Sequence, residues 1–404
     1  MRLFVKFDNP KIFKLIEERA DFIWMLLGAG AAYATNIVFA HSLSSASFVV
    51  FSTILTFSMW ASTFSLLGSD QLVIRNSRVS DGNIHIPEGY EKIYFHTSIL
   101  FAVVSFFIFL WIFGFFCSAL ISAVSFIFSR QIIDFTSHRL TGNYAAAQIE
   151  KNLWRICLLA ISCFVFIIGK DVGDSEIFLF FFFSVLAAKL CSRIFFRPVN
   201  LIKDNGPADL SLWWPFFVSM LLMNAMTHGD RFVASIMGND YAAEYLLLQT
   251  VILFPVSIFQ NYFGIRDAVS FKAHTDIKKI NIKLAKSAAI GGLVSASLVL
   301  IYFLSESFHL LPRYADLGLG LVCVFGITGF FRICYSSLSA AMSVSGDKFS
   351  VRVGNYGTLI PAAVIASSFF YVDLTPFSLS FAFLLVWISR FFSFYLGLYV
   401  KYKS

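Results

Sequence analysis

Residues 94–137 read YFHTSILFAVVSFFIFLWIFGFFCSALISAVSFIFSRQIIDFTS. From Tyr94 to Ser129 there is no Asp, Glu, Lys or Arg. A membrane-crossing helix needs about 20 apolar residues. The stretch is too long for one crossing and long enough for two. We place the break around Gly114 and Cys117, giving runs 94–115 and 117–137. Apolar residues follow one another here instead of alternating, which points to helices and not strands.

The same pattern extends along the chain. Further runs lie at 22–41, 47–68, 153–169, 176–196, 211–236, 241–263, 284–305, 317–342, 354–371 and 376–399. With the first two they make twelve. Composition agrees: of 404 residues, 58% are hydrophobic and only 14% charged. A soluble domain carries about 25% charged residues, so an ordinary cytosolic enzyme, a disordered chain and a disulfide scaffold are excluded. The six cysteines all fall in apolar stretches without C-x-x-C spacing, and read as small apolar fillers. No cleavable signal is visible at the start. Pro10 opens a candidate amphipathic helix along the inner surface, through Ile12, Phe13, Leu15 and Ile16.

The charges set an orientation. With the N-terminus inside, 25 of the 31 Lys and Arg fall on inner segments, two on outer ones and four within spans. The outer segments are acidic: Asp171, Asp174, Glu176, Asp240, Glu306, Asp316 and Asp373. This is the positive-inside pattern. It accounts for the net charge of +7 without a nucleic-acid partner. The expected fold is therefore an all-α polytopic membrane protein. Twelve transmembrane helices form two six-helix halves around a central cleft, with both termini cytoplasmic. The expected parts are 1–197, a cytoplasmic linker at 198–210 carrying Pro198 and Asn205-Gly206-Pro207, and 211–404. No outer loop is large, and no G-x-x-x-x-G-K-[ST] phosphate loop appears. Work would be done inside the bundle.

Two hairpins carry a family resemblance. The first runs from Leu27-Gly28-Ala29-Gly30 through Leu43-Ser44-Ser45-Ala46-Ser47-Phe48 to Leu67-Gly68-Ser69-Asp70 and Ile74-Arg75. The second is Gly229-Asp230-Arg231-Phe232, then Met237-Gly238-Asn239-Asp240-Tyr241-Ala242-Ala243-Glu244-Tyr245. In these the chain resembles the O-antigen and lipid-linked oligosaccharide flippases (polysaccharide transporters) of the multidrug/oligosaccharidyl-lipid/polysaccharide exporter superfamily. It departs from them where Ser44 and Val49 stand at glycine positions of the first turn.

An ionisable group inside a span costs at least a few kcal/mol and marks a cavity or a partner. Arg332 is 16 residues after Asp316 and 15 before Asp347. At 1.5 Å per residue it sits about 23 Å from either, near mid-membrane. Asp230 and Arg231 lie about 12 Å below the turn at Gly238; as helix neighbours they point about 100° apart and do not simply neutralise each other. Arg390 and Lys189 are nearer the inner ends, where they can also reach the surface. Arg130 and Asp134 have i, i+4 spacing, which reads as a local salt bridge. A cationic cleft of Arg231, Arg332, Arg390 and Lys189 calls for an anionic guest, since guanidinium forks suit phosphate oxygens. Asp230 and Glu244 are the candidate carboxylates for ion coupling or charge pairing. Asp70, Arg75 and Arg266 close the inner ends of the second and eighth spans as a candidate gate.

The resemblance implies a flippase of the bacterial inner membrane. It would carry an anionic polyprenyl-diphosphate-linked oligosaccharide outward by alternating access, driven by H+ or Na+, with no cofactor, no metal and no enzymatic step. Expected partners are the lipid-linked oligosaccharide, membrane lipids, a glycan polymerase and a chain-length regulator. A glycan polymerase or ligase is disfavoured by the short outer loops. A cation-coupled drug exporter is disfavoured by the cationic cleft.

Overall fold

The computed structural model describes residues 20–80, 83–169, 172–196, 199, 201–207, 210–211, 213–235, 237–308, 318–369 and 373–403. The candidate surface helix after Pro10 and most of the expected outer loop at 306–316 lie outside them. The helices are α1 Ala20–Ser42, α2 Ser45–Phe64, α3 Ser69–Asn76, α4 Tyr90–Leu140, α5 Tyr144–Ile168, α6 Asp174–Phe195, α7 Trp213–Ala234, α8 Asn239–Ala273, α9 Ile277–Ser307, α10 Gly318–Ser345, α11 Lys348–Ser368 and α12 Pro376–Lys403. Three strands accompany them: β1 Arg78–Ser80, β2 Asn83–Glu88 and β3 Leu201–Pro207. All twelve apolar runs fall on helices. Among the described residues, nine helices are long and apolar enough to cross a membrane, α2 and the start of α3 counting as one (Ser45–Ile74); α7 and α11 are not among the nine.

The third and fourth runs share α4, which spans 51 residues and breaks at Gly114 (φ 77°, ψ −179°). A side chain is strained at that φ, so glycine makes the turn. The two arms fold back on each other: Ser122 Oγ donates to the Ala102 carbonyl at 2.9 Å. In a straight helix those residues would stand about 30 Å apart. Elsewhere, polar residues start the helices by accepting free backbone N–H groups. Asn143 accepts from Ala146, Asp276 from Lys279, Asp347 from Ser350 and Thr375 from Ser378.

The strands were not foreseen. β1 and β2 pair antiparallel, and β2 pairs parallel with β3, which lies in the expected linker. The fold is thus nearly all-helical, with one small sheet between the segments 78–88 and 201–207. Ile84 and Ile86 are buried and alternate with half-buried neighbours, which is the period of a strand with one face covered. Lys203 anchors the sheet to α4 through Glu91, at 2.9 Å.

The chain divides into two compact units, Met1–Val38 with Phe57–Ser211 and Phe39–Thr56 with Leu212–Ser404. In the first, rings join helices: Phe57 meets Phe109 at 4.8 Å, Phe113 meets Phe178 at 5.1 Å, and buried Trp154 meets Phe128 at 5.4 Å. In the second, α8, α9 and α10 approach closely through glycine. A Cβ on Gly326 would stand 2.7 Å from Val299, and one on Gly329 2.9 Å from Val256. Small residues let helices pack this tightly in a membrane. The large apolar side chains turned outward, such as Trp111 at 93% exposure, are the surface lipid tails would cover.

Candidate functional site

The second unit holds a series of buried polar clusters among apolar helices. Asp230 and Arg231 are both buried on α7. Being adjacent, they diverge, and Gln249 of α8 bridges them. Arg231 Nε donates to the Gln249 oxygen, and the Gln249 amide nitrogen donates to Asp230 Oδ2. Tyr245, one turn before Gln249, donates its hydroxyl to the same Asp230 oxygen at 3.2 Å. Ser380 of α12 donates to Tyr245 Oη, also at 3.2 Å. Arg231 Nη2 reaches Thr250 at 3.5 Å.

Further along α8, Gln260 and Ser257 hold Arg332 of α10. Its Nε donates to the Gln260 oxygen at 3.2 Å and its Nη2 to Ser257 Oγ at 3.0 Å. The guanidinium lies 5.4 Å from the Trp387 ring centre. Asp230, Arg332, Thr328 and Ser380 line one small, partly open cavity together with Phe325, Phe383 and Trp387. A carboxylate and a guanidinium therefore face a common space with aromatic walls.

Trp387 continues the line, meeting Tyr335 at 5.6 Å. Arg390 of α12, 1% exposed, donates to Tyr335 Oη at 2.9 Å, to Thr358 at 3.4 Å, and to the carbonyl and hydroxyl of Ser219 at 3.2 Å. Its guanidinium lies 4.6 Å from the Phe394 ring centre. Among the described residues no carboxylate is within ion-pair distance of Arg332 or Arg390. Hydroxyls, one amide, a carbonyl and ring faces surround the two guanidinium groups, and Asp230 faces Arg332 across the shared cavity.

The other expected residues stand apart from these clusters. Lys189 belongs to the first unit and is paired there with Asp134 and with Glu150 at 3.4 Å; Arg193 reaches Asp134 at 4.0 Å. The expected Arg130–Asp134 bridge does not form. Asp134 turns to Lys189, and Arg130 rests 5.4 Å from the Phe126 ring centre. Glu244 is buried in the first turns of α8. Asp70 is buried in the first unit, with Oδ2 accepting from Gln71 at 2.8 Å. Arg266, in the second unit, is exposed and donates to Tyr262 Oη at 2.5 Å. The side chain of Arg75 lies outside the described residues.

Sequence reading passed over Gln249, Gln260 and Asp267. Asp267 is buried on α8, accepting from Ser337 at 2.5 Å and pairing with Lys283 at 2.9 Å. Their signal was spacing. Tyr245, Gln249, Ser257, Gln260 and Asp267 recur at helical intervals down one side of α8. Among the described residues no group of His, Cys, Asp and Glu is placed to hold a metal ion.

No family model and no curated protein matches this chain. Solved structures do match it. One is an outward-facing multidrug resistance MATE family transporter of the MOP superfamily, 14% identical, TM-score 0.57, covering 94% of this chain and 92% of that one. The fold is that of the MATE transporters. The MATE multidrug transporter DinF-BH, solved in complex with a ligand, matches at 13% identity and TM-score 0.59, over 98% of this chain and 96% of its own. A MOP superfamily transporter from Pyrococcus furiosus, described as having a binding pocket of reverse polarity, matches at 14% identity and TM-score 0.55, over 95% and 94%. Membrane-length apolar helices on a MATE fold make the chain a multi-pass membrane protein.

Proposed function

We propose that this protein is a secondary transporter working by alternating access, and that its guest is anionic: a polyprenyl-diphosphate-linked oligosaccharide taken from the inner leaflet to the outer one. The MATE fold supports transport. The charge of the second unit supports the choice of guest. Arg231, Arg332 and Arg390 are buried there along with Asp230, and the hydrogen-bond partners of Arg332 and Arg390 are neutral. A diphosphate matches guanidinium forks in geometry and sign, while the glycan would need a wet space and the lipid tail would stay in the bilayer. Asp230 is the carboxylate through which an ion gradient would act.

The test is reconstitution in vesicles with a fluorescent short-chain polyprenyl-diphosphate glycan. The protein should move it between leaflets, and Arg332→Gln should slow this by about tenfold or more, the value of one charge-assisted contact. Vesicles in which the native protein leaves the glycan lipid on its original leaflet would sink this reading.

A drug exporter is the second reading, and one observation favours it. The Asp230 carboxylate shares its cavity with Phe325, Phe383 and Trp387, a setting that suits a flat organic cation. Efflux of a cationic rhodamine dye that Asp230→Asn abolishes and Arg332→Gln preserves would select that reading.

A further inference from the structure

Asp230 and Arg332 line the same small cavity of the second unit, and among the described residues they form no ion pair with each other. Neutral groups hold each of them to the wall and leave part of its hydrogen-bonding capacity unused. A guanidinium has five N–H donors. Arg332 gives one from Nε to Gln260 at 3.2 Å and one from Nη2 to Ser257 at 3.0 Å. Its Nη1 donates to nothing among the described residues. A carboxylate has about four lone-pair sites. Asp230 Oδ2 accepts from Tyr245 and Gln249, whereas Oδ1 accepts the Arg231 backbone N–H at 3.0 Å and has a site to spare.

The hydroxyl groups of the cavity share one polarity. Thr227 donates to the Met223 carbonyl at 2.7 Å, and Thr328 to the Val324 carbonyl at 2.9 Å. Ser380 donates to Tyr245 Oη at 3.2 Å or to the Pro376 carbonyl at 3.0 Å. A hydroxyl has one hydrogen to give, so these three offer the cavity lone pairs. Together with Asp230 they make an acceptor wall, and Arg332 makes a donor wall. Phe325, Phe383 and Trp387 close the rest with rings. A guest of one sign satisfies one wall and leaves the opposite buried charge unanswered, which costs free energy. A guest carrying both signs answers both. An ammonium is compact, with three donors and no acceptor, and suits the lone pairs around Asp230. Phosphate oxygens suit the free donors of Arg332.

We propose that the guest of this cavity is zwitterionic: a diphosphate-linked glycan lipid whose sugar next to the diphosphate carries a free amine. The ammonium sits against Asp230 and the diphosphate against Arg332. The proposal rests on the transport reading for the lipid-linked glycan and adds the amine to it. It joins in one molecule the two features that otherwise call for guests of opposite sign, a guanidinium and a carboxylate with aromatic walls. When the guest leaves, the same carboxylate is open to the coupling ion.

The test is calorimetric binding to the full-length protein in phosphatidylcholine nanodiscs. Two short-chain polyprenyl-diphosphate probes are compared, one bearing an amino sugar with its amine free and one bearing the same sugar N-acetylated. The native protein should bind the free-amine probe about tenfold or more tightly. Asp230→Asn should bring the ratio of the two affinities close to one. Arg332→Gln should weaken both probes and keep the ratio. Asp240→Asn, on an exposed carboxylate at the start of α8, should keep the native ratio. A ratio does not depend on how much of a variant is folded, and the native protein alone can refute the proposal by binding both probes equally. An Asp230→Asn protein that keeps the preference would also overturn it. Phosphatidylethanolamine, the other source of an ammonium beside a phosphate, is then added to the nanodiscs. Competition from it, with the two glycan probes bound equally, would assign the cavity to a lipid headgroup and overturn the sugar amine. Vesicles separate the two readings. Amine-selective binding without movement between leaflets counts against transport and leaves this proposal standing. Movement of both probes with equal rate and affinity supports transport and overturns the amine.

Discussion

Lys189 in the first unit and Arg332 in the second are both basic residues inside apolar helices, yet the two units hold them in opposite ways. Lys189 is neutralised by Asp134 and Glu150, which come from two other helices. Arg332 meets Gln260, Ser257 and the face of Trp387. A cation among carboxylates is a cross-link whose field is cancelled at short range. A cation among neutral dipoles keeps its field and can act on a mobile charge. An ionisable residue in a span thus marks either a lock or a site, and the partners decide which.

The sharpest break of that contrast is to remove each cation. Lys189→Met leaves buried Glu150 and half-buried Asp134 without their cation, and losing one partner of a buried pair costs about 3–5 kcal/mol. We expect the largest loss of melting temperature and of membrane-inserted protein here, measured by fluorescence-detected size exclusion after heating. Restoring stability by adding Asp134→Asn and Glu150→Gln would complete the case for a lock. A Lys189→Met protein as stable as the native one would refute it.

Arg332→Gln should do the reverse: near-native melting and strongly reduced transport, because its neutral partners can rebond to a glutamine or to water. Arg390 tests the border between the two roles. It ties α7, α10 and α11 to α12 through Ser219, Tyr335 and Thr358, with every nitrogen of its fork engaged. An ammonium cannot reproduce that planar fork. We expect Arg390→Lys to lose two or three hydrogen bonds to the charged group and about 1–3 kcal/mol of stability. Transport should fall only as far as folded protein does, read as rate per correctly folded molecule.

Much of this was legible before folding, and the reasons are local. Long apolar runs announce helices because hydrocarbon allows little else, and Gly114 announced its turn by sitting inside a stretch too long for one crossing. Arg332 and Asp230 stood out as charges where charge is costly. What was hidden is non-local or uncharged. Asp134 has Arg130 one turn away, so sequence favours that pair, but its partner Lys189 is 55 residues further on. Gln249 and Gln260 carry no charge and vanish into a run scored on hydropathy. The sheet was hidden by length: Ile84 and Ile86 give the period of a strand for too few residues to outweigh the helical signal around them.

The smallest expected effect comes from a charge outside the helix cores. Asp347 starts α11, and its carboxylate accepts the Ser350 backbone N–H at 2.9 Å. The hydrogen bonds from Ser350 hold its carboxyl below the usual value of 3.8. A lowered value in the folded state means that this stabilisation is fully present above the ordinary carboxylate range. It is lost as pH falls through the lower folded value. Asp347→Ala should therefore cost about 1 kcal/mol at neutral pH, the usual worth of such a cap. The difference from native protein should shrink below about pH 4, where the native residue also becomes protonated. Melting curves of both proteins across that range check the sign. A gap that widened on acidification would show that Asp347 acts through something other than the start of α11.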